Sequence, residues 1–171
     1  ITDDQLRADW LRACPLDHNL AAAVEATLTD EEWPRYENAI LPEIKERYKS
    51  IINAVNLGLL HSAQYIGKGG LAGALAYSSI NGNLGANVKL DSLGEKMRTD
   101  SVLFSNTTGR FLVTVYPTQT KKFEDAMQGT YIRDIGEVSA YRSFLIRYKG
   151  KKVIFSDIHK MRSENKGEIE F

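Results

Sequence analysis

Lys68 is enclosed by Gly67, Gly69 and Gly70, immediately ahead of the small-residue run Leu71-Ala72-Gly73-Ala74-Leu75-Ala76. Glycines before a helix let a partner approach the backbone, and the N–H groups of a first turn attract anions. A lysine at that point adds a full positive charge, so the pattern supports binding of an anion such as a phosphate. On spacing alone such glycines more often only turn the chain, with the alanines letting a helix lie close against a sheet. The stretch is not a P-loop. Ser62 stands where that motif needs its first glycine, and Gly69 follows the lysine in place of a magnesium-holding hydroxyl residue.

A second polar stretch, Ser105-Asn106-Thr107-Thr108-Gly109-Arg110, sets hydroxyls and an amide beside an arginine. It is able to hold an anionic ligand and is also a good turn. The candidate ligand-facing residues are therefore Gly67, Lys68, Gly69, Gly70, Ser105, Asn106, Thr107, Thr108 and Arg110. No catalytic residue and no metal site is expected. Asp91, Glu95 and Asp100, the nearest acids, have no metal spacing, and His18, His61 and His159 are far apart. The single cysteine, Cys14, excludes an internal disulfide and a cysteine-rich zinc site.

The 171 residues suit one domain with an added helical element, and 43% hydrophobic residues are ample for its core. No apolar run approaches the length needed to cross a membrane, and no signal peptide is visible. Beginning at Ile1, the chain reads as a piece of a longer protein. Its zero net charge hides an asymmetry, because residues 1–43 hold ten acids and three bases. The remainder is correspondingly basic. Aromatics among its C-terminal charges follow strand alternation, so nucleic acid is not expected as a partner.

These segments must be positioned by flanking elements. Residues 1–41 read as an acidic helical segment, with helix starts at Thr2-Asp3-Asp4-Gln5 and Thr29-Asp30-Glu31-Glu32. Pro42 marks a boundary, and residues 42–171 form the main domain. Ile44, Tyr48, Ile51, Ile52, Val55 and Leu59 predict one apolar stripe on a helix over 44–60. A strand follows at 63–66, then the glycine-led helix over 70–80 and a short strand at 87–90. A helical turn or loop is expected at 92–99 and a strand at 101–104. Arg110–Tyr116 (RFLVTVY) reads as a strand buried on both faces. A helix over 118–128 turns Phe123 and Met127 inward and stops at Gly129; a strand returns over 131–138. That order implies a right-handed crossover if the strands are parallel. A hairpin around Gly150 joins 144–149 to 152–155, and Ser156-Asp157 caps a last helix over 158–165. The fold class is α/β (α+β), a mixed sheet of five or six strands covered by helices.

Three phrases in this order carry a resemblance: Gly69-Gly70-Leu71-Ala72 with Gly82-Asn83-Leu84-Gly85-Ala86 and Leu90-Asp91; Phe104 to Val113 (FSNTTGRFLV); and Ile135-Gly136-Glu137-Val138. From about Leu41 to the end, the chain resembles the C-terminal domain of the aminoimidazole ribonucleotide synthase superfamily, in particular of phosphoribosylformylglycinamidine (FGAM) synthases. Where that pattern carries His, Asp, Ser and Asp, this sequence has Gln64, Tyr65, Gly67 and Lys68; Asn106 replaces a glutamate. The resemblance implies a cytoplasmic, ATP- and magnesium-dependent ligase of purine biosynthesis. Its partners would be upstream ATP-binding domains of the same polypeptide and a glutaminase subunit, with a homodimer through the superfamily-type sheet. The fragment alone is expected to be inactive and to lack a complete cofactor site. Selenophosphate synthetase-like and thiamine-phosphate kinase-like members of the superfamily, or a non-catalytic association domain, are the alternatives.

Overall fold

The computed structural model describes residues 41–93, 97–107 and 109–164. The acidic segment before Leu41 and the candidate residue Thr108 lie outside these residues. Compact units divide between Glu43 and Ile44; the elements that follow belong to the second, apart from the first three residues of the first helix.

The first described helix, α1 (Leu41–Asn56), is shorter than the sequence suggests. Gly58, at φ 66°, ends it by entering the left-handed region that side chains disfavour. Its buried stripe also differs from the expected one. Ile44, Ile51 and Ala54 are buried, whereas Ile52 and Val55 lie more than half exposed. The buried line is rotated from the 48-52-55 line, and Tyr48 is left half-buried, its ring edge-on to Phe111 at 5.0 Å.

Strand β1 (Ser62–Tyr65) leads through the glycines into helix α2 (Gly70–Gly82) and strand β2 (Gly85–Lys89). After a single helical turn at Asp91–Leu93 comes α3 (Thr99–Phe104). The strand expected at 101–104 is thus a helix. Val102 and Leu103 are buried in it, and Ser105 N–H returns to Ser101 O at 3.2 Å. Strand β3 (Phe111–Thr114) pairs antiparallel with β1, Tyr65 opposite Phe111. It is not buried on both faces: all four residues are half-buried, because the described ribbon has only these two strands.

Helix α4 (Thr120–Ala126) follows a turn begun by Pro117, buries Phe123 and Met127, and ends before Gly129 at φ 84°. Only the end of the next predicted strand forms, as β4 (Gly136–Ser139). It joins β2 antiparallel, so the predicted crossover from β3 within one sheet does not exist. The hairpin is as expected: β5 (Ser143–Tyr148) and β6 (Lys151–Asp157) turn at Lys149 and Gly150, both at positive φ. Strand β5 lies parallel to β2, giving a mixed sheet ordered β4-β2-β5-β6. Asp157 accepts the His159 N–H at 2.8 Å, capping α5 (Ile158–Glu164).

Two clusters hold this arrangement. Along β5, Phe144, Ile146 and Tyr148 point inward by strict alternation, joining Ala86 and Val88 of β2 and Leu71 and Leu75 of α2. The smaller cluster joins Ile51, Ala54 and Leu59 to Phe123 and Met127, with Phe111 and Val113 of the ribbon packed on it.

Candidate functional site

The register of the ribbon places the two candidate segments together. Gly67–Gly70 leave the end of β1, and Ser105–Arg110 enter the start of β3. The Ile66 N–H donates to Arg110 O at 2.9 Å, closing the ribbon at that end.

Within the first segment the glycines do separate work. Gly69 caps α2 with φ 85°, and Gly70 follows at φ 63°. Gly70 N–H donates to Gly67 O at 2.9 Å, and Gly73 N–H to Gly69 O at 3.0 Å. A Cβ on Gly70 would lie 2.6 Å from both Leu103 O and Phe104 Cα. That glycine is therefore spent on the close approach of α2 to α3. Lys68, by contrast, is exposed.

In the second segment, arginines brace the loop from inside. Arg110 donates to the carbonyls of Ser105 and, at 3.3 Å, Thr107, while Arg47 of α1 donates to Gly109 O at 2.9 Å. Gly109, at φ 78°, lies against Ile44. Burial lowers the Arg110 pKa from its ordinary value; Tyr65 opposes this, and the neighbouring charge of Arg47 adds to it. Asn106 and Thr107 stay exposed beside these cations. The Asn106 amide and the Thr107 hydroxyl thus stand on a loop whose backbone carbonyls take up both guanidiniums, while Lys68 is exposed on the neighbouring segment. Among the described residues, no group of three or more His, Cys, Asp or Glu side chains comes together.

Arg47 is not among the residues that the sequence singles out. Only its reach to Gly109, distant in the chain, reveals its part, and no local pattern signals that.

The class of fold is an α+β domain: a mixed sheet backed by helices and flanked by a two-stranded ribbon. Residues 16–149 match the family described as AIR synthase related protein, C-terminal domain, so the chain belongs to that family. The match reaches back into the acidic segment. Over 99 residues the chain is 38% identical to the phosphoribosylformylglycinamidine synthase subunit PurL of Lactobacillus acidophilus, covering 58% of this chain and 12% of that one. Among solved structures it is similar to Thermotoga maritima PurL complexed with ATP, with a TM-score of 0.62 at 23% identity, covering 69% of this chain and 21% of that one. The same protein complexed with FGAR gives a TM-score of 0.63 at 22% identity, covering 70% and 21%. The chain thus spans about an eighth of the curated relative and a fifth of the solved one.

Proposed function

We propose that this chain is the C-terminal domain of a phosphoribosylformylglycinamidine synthase, serving ATP-dependent conversion of formylglycinamide ribonucleotide to the amidine. In that reaction ATP with magnesium activates the amide oxygen, which ammonia then displaces. The chain's own contribution is to present Lys68, Asn106 and Thr107 to a phosphate-bearing ligand, over a loop held by Arg47 and Arg110. The observation that carries this reading is the meeting of the two glycine-bearing segments at one end of the ribbon, in a member of this family. Carboxylates for magnesium, the reacting groups and the ammonia supply belong to upstream ATP-binding domains and a glutaminase subunit. The parent enzyme works in the cytoplasm, and a homodimer through the superfamily-type sheet fits its architecture.

A second reading, that the domain serves only association, is favoured by the structural use of Gly70 and Arg110. Calorimetric titration with ATP and with a ribonucleotide phosphate separates the two. Binding lost in Lys68→Glu, with the fold unchanged by circular dichroism, supports the first; no heat with either ligand supports the second. Phosphate release by the 171-residue chain with magnesium, ATP, ammonia and formylglycinamide ribonucleotide, abolished by Lys68→Glu, would overturn its supporting role.

A further inference from the structure

On the face of the sheet opposite α2, a polar chain crosses three strands. Arg147 of β5 donates from Nη1 to Asn87 Oδ1 at 2.6 Å. Asn87 of β2 donates from Nδ2 to Glu137 Oε1 of β4 at 3.2 Å. The charges fix the amide's orientation, since its oxygen must face the guanidinium and its NH2 the carboxylate. A cation and an anion thus line the same opening, one amide apart.

Leu145 sits beside Asn87 in the parallel β2–β5 register and gives the opening an apolar floor. The segment from β4 to β5 closes one end. It passes so near Gly85 that a Cβ there would lie 2.0 Å from Tyr141 O and 2.5 Å from Ser143 O. Tyr141 N–H is tied to Ser139 Oγ at 3.1 Å, and the Tyr141 side chain, 82% exposed, lines the opening. The cleft is open to solvent and offers about 470 Å³, room enough for a small molecule.

We propose that this cleft binds a zwitterion of amino-acid size, its carboxylate on Arg147, its ammonium on Glu137 and an aliphatic side chain on Leu145. Charge complementarity selects this class. A simple anion satisfies Arg147 but meets the Glu137 carboxylate one amide away, and a simple amine meets the reverse. Asn87 and Arg147 are half-buried, so solvent screens their side of the cleft less than it would an open surface. Only a ligand with both charges leaves neither wall opposed. The site lies on the other side of the sheet from the glycine segments and is independent of the phosphate reading.

The test is an amide NMR titration of the unaltered 171-residue chain with L-leucine, 4-methylpentanoate (the same skeleton without the amine) and 3-methylbutylamine (without the carboxylate). L-leucine is expected to shift the Asn87, Leu145, Arg147 and Tyr141 signals, with affinity at least roughly tenfold above either analogue. Glu137→Gln should bring L-leucine down to the level of 4-methylpentanoate, and Arg147→Gln should bring it to that of the amine. The three-probe comparison needs no variant to fold. Absent shifts, equal affinity for all three probes, or shifts confined to Gly67–Gly70 would overturn the proposal.

Discussion

The four-stranded sheet and the β1–β3 ribbon use similar residues but reach different depths. Phe144, Ile146 and Tyr148 of β5 are at most 1% exposed, while every residue of β3 is half-buried. One sheet face is sealed by α2, and its cluster is continuous. The ribbon is flanked by α1 and α4 around far fewer buried side chains. The candidate phosphate-facing loops grow from the shallow region, not the deep one. Depth supplies a fixed platform, and beyond the ribbon's end Lys68 and Asn106 stay exposed.

The largest loss is expected from hollowing the sheet. Phe144→Ala is expected to destabilise by about 4 kcal/mol in chemical denaturation, since the emptied space has no room to collapse. Met127→Ala, in the ribbon's cluster, should cost about 3 kcal/mol. Equal losses would erase the distinction in depth. Next comes Gly70→Ala, at the join of α2 and α3. A forced contact and a left-handed backbone together cost about 3 kcal/mol, whereas Gly129→Ala, with positive φ but open space around it, costs about 1 kcal/mol. A Gly70→Ala protein as stable as Gly129→Ala would return Gly70 to a ligand-facing role.

Much of the deep region was legible, because period-two alternation at Phe144, Ile146 and Tyr148 and the Gly150 turn are local signals. The short run Ser101–Phe104 was not. Four residues with an apolar middle suit either state, and α3 is decided by its contact with Gly70, a tertiary event. Tyr131–Ile135 is likewise rich in strand formers but has no ladder, apart from Lys89 N–H donating to Ile135 O at 2.7 Å. As for the site, the sequence named both loops, but their meeting depends on the β1–β3 register. The Arg147–Asn87–Glu137 chain gives no sequence signal, since its members come from three separated strands.

The smallest expected effect lies at the start of α3, on its solvent-facing side. The Arg98 side-chain hydrogen bond, then that from Ser101 N–H, holds the Asp100 carboxyl below its ordinary value. A lowered folded pKa means that its contribution is full above about pH 4 and disappears as pH falls through the folded value. Thermal unfolding curves of wild type and Asp100→Asn should therefore differ slightly at neutral pH and converge in acid. A gap that widens in acid would reverse this assignment.

The parallel pairing of β2 with β5 also has a consequence during synthesis. Ala86 pairs with Val138 on one side and Phe144 on the other, both far down the chain. Strand β2 therefore leaves the ribosome early and waits with both edges bare, because no ladder partner yet exists. Closing so long a loop is slow, whereas β5 and β6 are neighbours and zip locally. The nascent chain carries these bare strand edges through this interval. Stalled chains ending before Ser143 should bind chaperones strongly, and release should coincide with emergence of the β5–β6 hairpin.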